Sequence, residues 1–169
     1  MPDADSSAGP QRQSGAPKVG DLAPGFALDG VDGATGERRR YESVEFTGSP
    51  LVIAFYPGDN TPVCTRQLVS YTSGIASLRQ KGANLVAISP QDVDSHVRFA
   101  DSQGGFAFPL LSDVDKEVGA AFGNLGLLGL YKRSIFVLDG EGRITYVHRS
   151  LGPGVVFQKL DDIVAHVAG

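Results

Sequence analysis

Cys64 is the only thiol in the chain. It stands in the stretch AFYPGDNTPVCTRQL, Ala54 to Leu68, behind Pro57, Thr61 and Pro62, and an apolar helical pattern begins just after it. A cysteine kept for packing is a small hydrophobe inside an element. This one sits where an apolar run ends and a helix opens. The first N–H groups of a helix have no partner within it, and the macrodipole is positive there. Both features suit a sulfur that reacts as a thiolate, so the position favours a nucleophilic or redox-active thiol over an inert one.

Other chemistries find less support. One cysteine excludes an intrachain disulfide and a Cys-x-x-Cys site. A hydrolase pairing Cys64 with His96, His148 or His166 would need histidines that fall on different elements. No spacing of His, Cys, Asp and Glu reads as a metal site, so no metal is expected. GNLGLLG, Gly123 to Gly129, has glycines at every third position but no strand directly before it, so it fails as a dinucleotide fingerprint and reads as a mobile loop.

The elements that must position the thiol follow from periodicity. FALDGVDGATGERRRYESV, from Phe26, reads as a β-hairpin with turn chemistry at Gly33 to Gly36. LVIAFY, Leu51 to Tyr56, is a continuous apolar run between prolines, which suits a strand covered on both faces. Leu68, Tyr71, Ile75 and Leu78 then recur at helical spacing, with Pro62 at the start and Gly82 as the stop. NLVAIS (84–89) is a second buried strand, and a helix capped by Asp92 runs to Ser102. A short strand at Pro109 to Leu111 and a helix from Asp115 to Phe122 come next. SIFVLD (134–139) is a third central strand, turning at DGEG into an antiparallel partner RITYVHR (143–149). A last helix is expected from Val156 to Val167. Strands alternating with helices and closed by a hairpin give an α/β fold, a mixed central sheet with helices on both faces. Sites in such sheets form beyond the carboxyl ends of strands, which is where Cys64 falls.

Composition narrows the classes of partner. A chain of 169 residues suits one domain, and 41% hydrophobic residues suffice for a core. The net charge of −4 argues against nucleic acid. Arg38, Arg39 and Arg40, beside Glu37 and Glu42, read as a solvated hairpin rather than a basic patch. No apolar run approaches the ~20 residues of a membrane helix. The first residues lack the apolar stretch of a secretory signal, and residues 1–18, rich in Pro, Ser, Gly and Gln, read as a disordered tail before one domain at 19–169. A lone cysteine fits a reducing, cytoplasmic setting.

FYPGDNTPVCT, with its Pro57-x-x-x-Thr61-x-x-Cys64 spacing, resembles the active-site motif of the AhpC/TSA-type peroxiredoxins, and in particular the peroxiredoxin Q or bacterioferritin comigratory protein subgroup. KRSIFVLDGEGRI resembles the family segment whose arginine completes the site, here Arg133. The resemblance runs from about Gly20 to Ala168. It implies a thioredoxin-like fold with an N-terminal extension, and a peroxidase without cofactor in which Cys64 attacks a hydroperoxide and becomes a sulfenic acid. By the same resemblance Arg133 holds thiolate and peroxide. The Thr61 hydroxyl and the N–H groups of Val63 and Cys64 bond the peroxide oxygens, Pro57 shields the pocket, and Gln67 orients the arginine. Singly, Thr61 also reads as a helix cap, Pro57 as a turn residue and Arg133 as a surface cation.

Such help is needed. A thiol of pKa ~8.5 is about 3% ionised at pH 7, and lowering it to ~6 raises that about thirty-fold. The accompanying loss of nucleophilicity, taken from disulfide exchange, removes about tenfold. The remaining stabilisation must act on the charge that develops on the leaving oxygen.

One departure from the family matters. Many members of the subgroup carry a second, resolving cysteine five residues on, where this chain has Val69. The resemblance then implies recycling by an external thiol, a thioredoxin, a glutaredoxin or a low-molecular-weight thiol, in a monomer or homodimer. The alternative on the same scaffold is a redox sensor or partner-binding protein without turnover.

Overall fold

The structure is a computed structural model and describes residues 15–150 and 156–167. Seven strands, β1 (Ala27–Asp32), β2 (Arg38–Glu42), β3 (Leu51–Phe55), β4 (Asn84–Ser89), β5 (Pro109–Ser112), β6 (Ser134–Leu138) and β7 (Ile144–Arg149), form one sheet. Its order is β2-β1-β5-β4-β3-β6-β7. β3 pairs parallel with β4 and β4 with β5, and the other pairs are antiparallel, so the sheet is mixed as the sequence pattern requires. The helices are α1 (Pro62–Gln80), α2 (Val93–Ser102), α3 (Glu117–Ala121) and α4 (Leu160–Val164).

The unbroken apolar run of β3 is explained by two cores. Val52, Ala54 and Tyr56 join Cys64, Leu68, Tyr71, Phe99 and Leu160 on the face covered by α1, α2 and α4. Leu51, Ile53 and Phe55 join Val118, Phe122, Tyr131 and Phe136 on the face covered by α3. Phe55, Phe122 and Phe136 meet with centroids 4.9–5.8 Å apart in tilted and edge-on pairs, the geometry that ring quadrupoles favour. Helices thus lie on both faces.

Most elements stand where the periodicity puts them, including the Asp92 cap, whose carboxylate accepts from Ser95 N at 2.8 Å. Two helices are shorter than expected. Lys116 adopts φ 62°, which no helix continues through, so α3 begins at Glu117. Instead of a helix from Val156, residues 156–159 have no regular secondary structure and α4 begins at Leu160; Lys159 has ψ 144°, and the Gln158 carbonyl is taken by the Tyr71 hydroxyl. Residues 1–14 of the expected tail lie outside the described residues. Pro17 of that tail is packed: it is buried, and its carbonyl accepts from Arg149 Nη2 at 2.7 Å. The three hairpin arginines each meet a carboxylate at the surface, Asp94, Glu45 and Asp29. Gly123 to Gly129 holds a short 3-10 turn at Leu127–Gly129.

The β1–β2 turn depends on a close approach. The Asp32 carboxylate accepts from Ala34 N and Thr35 N, closing the turn. Beside it, a Cβ on Gly33 would lie 2.4 Å from the Phe108 carbonyl oxygen and 2.7 Å from that of Phe106. These are backbone atoms with no rotamer to yield. Gly33→Ala should cost about 1–3 kcal/mol, the usual range for overpacking. At about 2–4 °C per kcal/mol for a chain of this size, calorimetry should show a fall in Tm of about 2–12 °C.

Candidate active site

The loop that carries the cysteine is shaped by its own sequence. Tyr56 N still donates to Ile88 O at 3.0 Å, prolonging the β3–β4 pairing by one residue. Pro57 has no N–H to give and the ladder ends. Asn60 turns the chain at φ 60°, a conformation its short polar side chain tolerates. Thr61 is extended and Pro62 opens α1 as its first residue. The first bond of the helix runs from Thr65 N to Thr61 O at 2.9 Å. The N–H groups of Val63 and Cys64 therefore point out of the helix start with no acceptor among the described residues.

Thr61 occupies the cap position, yet its hydroxyl caps nothing. It donates instead to Gly58 O at a long 3.3 Å. The hydroxyl of an exposed loop residue held this loosely can be recruited by a ligand oxygen. Pro57 is half-buried.

Arg133 reaches the sulfur through the sheet. β6 lies antiparallel to β3 with Ser134 opposite Phe55, so Arg133 falls one step past the ladder, beside the loop that leads to Cys64. Its Nη2 donates to Cys64 Sγ at 3.2 Å. Its Nη1 donates to Gln67 Oε1, one helical turn after the cysteine. Gln67 Nε2 donates to the Tyr71 hydroxyl at 3.2 Å, and Tyr71 donates on to Gln158 O. Burial pushes the Tyr71 phenol up to about 12, so it stays a neutral donor. Cys64, Gln67, Tyr71 and Arg133 are all at most 3% exposed.

No ion pair among the described residues involves Arg133. A buried guanidinium needs compensating charge, and the sulfur is the group in contact with it that can supply it. Removing a neutral amide such as Gln67 would free the fork to rotate; removing the arginine would leave the sulfur without its partner.

The structure thus brings Cys64, Arg133 and Gln67 into contact and sets Pro57, Thr61 and Val63 on the same loop and helix start. It does not bring a histidine to the thiol. His96 is buried on α2 with its ring engaged by Asp59 and Leu111 O, while His148 and His166 are exposed. Tyr71 appears in the sequence only as a member of the apolar stripe. Its spacing of four from Gln67 puts both on one helix face, a signal that could have disclosed the relay. Asp59, three residues after Tyr56 and bonded to its hydroxyl at 2.7 Å, was equally unmarked. Among the described residues no group of three or more His, Cys, Asp or Glu could hold a metal ion, and no helix is long and apolar enough to cross a membrane.

Residues 19–147 match the AhpC/TSA family. A Mycobacterium tuberculosis protein named as a peroxiredoxin is 36% identical over 132 residues, which cover 74% of this chain and 80% of that one. The chloroplastic peroxiredoxin Q of Triticum aestivum is 34% identical over 135 residues, 78% of this chain and 58% of that protein. Among solved structures, the Xanthomonas campestris bacterioferritin comigratory protein superposes with a TM-score of 0.68 at 28% identity, covering 83% of this chain and 88% of that one. The fold is the thioredoxin-like fold of these proteins, with the β1–β2 hairpin added at the N-terminal side.

Arg133→Ala should slow the reaction of Cys64 with hydrogen peroxide at least tenfold in stopped-flow measurements. Arg133→Lys should recover only part of the loss, because an ammonium cannot span Sγ and Gln67 Oε1 together. A wild-type rate in Arg133→Ala would remove the arginine from the chemistry.

Proposed function

The chain belongs to the AhpC/TSA family, among its peroxiredoxins, and we propose that it reduces hydrogen peroxide and organic hydroperoxides by a one-cysteine cycle. The observation that carries the proposal is the Arg133–Cys64 contact: a buried cation held 3.2 Å from the only thiol, at a helix start with free N–H groups. The Cys64 thiolate attacks one peroxide oxygen. The S–O bond forms as the O–O bond breaks, and the electron pair leaves on the other oxygen as hydroxide or alkoxide, which takes up a proton to give water or an alcohol. Arg133, the Thr61 hydroxyl and the N–H groups of Val63 and Cys64 face the charge that grows on those oxygens. Pro57 covers the loop side and limits water.

Recycling must come from outside. Position 69, where a resolving cysteine would stand, is Val69, and the chain has no other thiol. An external thiol condenses with the sulfenic acid, releasing water and leaving a mixed disulfide. A second thiol then attacks that disulfide and frees Cys64. Thioredoxin, glutaredoxin and low-molecular-weight thiols all have the required chemistry. Cys64 is 1% exposed, so the reductant has to wait for the helix start to open. Every group invoked comes from one chain, so the peroxide step works in a monomer or in each half of a homodimer. Reduction of alkyl peroxides, named for the Xanthomonas relative, is compatible with the apolar surroundings of Tyr56, Cys64 and Leu68.

Without added thiol, the protein should consume about one peroxide per Cys64 and gain one oxygen atom by intact-mass spectrometry; excess peroxide should carry it on to sulfinic and sulfonic forms. Adding each candidate reductant in turn identifies the physiological class. Many turnovers with no thiol present would overturn the one-cysteine cycle. Peroxide reduction by Cys64→Ser would overturn the peroxidase reading itself.

A further inference from the structure

A second buried polar cluster lies on the other side of the cysteine loop, and the mechanism above makes no use of it. Asp59 belongs to the short link between β3 and Thr61. Its Oδ1 accepts from the Tyr56 hydroxyl at 2.7 Å. Its Oδ2 accepts from Ser95 Oγ at 2.7 Å and faces His96 Nδ1 at 2.8 Å. His96 Nε2 faces Leu111 O at 3.0 Å. The side chains of His96 and Asp59 are 0% and 1% exposed.

The Leu111 carbonyl only accepts, so Nε2 carries a hydrogen. Nδ1 and Asp59 Oδ2 share a second hydrogen bond, and both ring nitrogens and both carboxyl oxygens have partners. Burial, then the charge of Asp59 and to a smaller degree that of Cys64, holds the Tyr56 phenol well above the usual range, so it remains a donor to Asp59. Tyr56 and Cys64 belong to the same core.

We propose that His96 is a positioning residue for peroxide reduction: with Ser95 it clamps Asp59, and through Asp59 it fixes the link that presents Pro57 and Thr61 over Cys64. The clamp ties that link to α2 and, through the Leu111 carbonyl, to β5. Asp59 N donating to Gln91 Oε1 at 2.7 Å is the only other side-chain tether of this residue's backbone among the described residues. Beyond it, Asn60, Thr61 and Pro62 are exposed, so nothing packed over them can do the same work. Arg133 reaches the sulfur from the start of β6 and shares no hydrogen bond with the clamp.

This rests on peroxide reduction at Cys64, which the wild-type protein tests by itself in the same assay. The test uses two histidine variants and two reactions of the thiol. An asparagine amide at 96 stands in for Nδ1–H and can still donate to Asp59. A glutamine amide reaches the Nε2 position and Leu111 O, and leaves Asp59 unpartnered by residue 96. His96→Gln should slow the peroxide reaction at least tenfold, whereas His96→Asn should stay within threefold of wild type. Alkylation by iodoacetamide, which needs the thiolate but none of the peroxide-binding groups, should stay within twofold in both. An unchanged peroxide rate in His96→Gln, equal losses in both variants, or alkylation that changes in step with the peroxide rate would each overturn the proposal. Should His96→Gln fail to fold, Ser95→Ala removes one donor from the same oxygen. A peroxide rate about threefold lower with unchanged alkylation supports the clamp, and an unchanged peroxide rate overturns it.

Discussion

The site depends on one contact, the guanidinium of Arg133 against the sulfur of Cys64. The two residues are 69 positions apart in the chain. They meet because β3 and β6 are neighbours, and because the register that pairs Phe55 with Ser134 leaves the next residue of each strand at the same end of the sheet. A one-residue slip would send every side chain of β6 to the opposite face. The ladder is protected against that slip by the cores on both faces, where Ile135 and Val137 pack with α1 while Phe136 and Leu138 pack on the α3 side. The two apolar clusters therefore set the geometry of a polar site.

Burial makes that contact consequential. An exposed arginine beside an exposed thiol would be screened and would compete with water. Here both are nearly inaccessible and no carboxylate competes for the guanidinium among the described ion pairs. The arginine is held by neutral groups, through Gln67 to Tyr71 and on to the Gln158 carbonyl. The relay ends on the non-helical residues before α4, whose Gln158 carbonyl accepts from Tyr71.

Two polar systems flank the sulfur with different characters. On the α1 side the relay is uncharged and orients a cation. On the α2 side the Asp59–His96 pair is buried, has a partner for each of its nitrogens and oxygens, and bonds to the groups around the link before Thr61 rather than to the sulfur. Between them the helix start offers N–H groups, the commonest device for receiving developing negative charge. A low thiol pKa would gain little alone, since nucleophilicity falls with it. In the proposed reaction these N–H groups and Arg133 are the donors available to the leaving oxygen.

The sequence by itself determined the elements, because hydrophobic periodicity and turn chemistry are local. The strands at 51–56, 84–89 and 134–139, the α1 start at Pro62 and the Asp92 cap are all legible from neighbouring residues. So is the candidate nucleophile, since a lone cysteine after a strand and two prolines is conspicuous, and so is Arg133 once the segment around it is set beside a known family. What only the tertiary structure decided are matters of contact between distant residues. No local pattern says that Gln67 Oε1 meets Arg133, that Tyr71 in an apolar stripe passes a hydrogen bond to residue 158, or that residues 156–159 stay outside the last helix. Nor does any pattern say that His96, one of three scattered histidines, finds Asp59 across 37 residues. Local preferences set the backbone, but a buried hydrogen bond or ion pair must satisfy each polar atom with whichever partner the packed sheet brings near, and that depends on strand order and register.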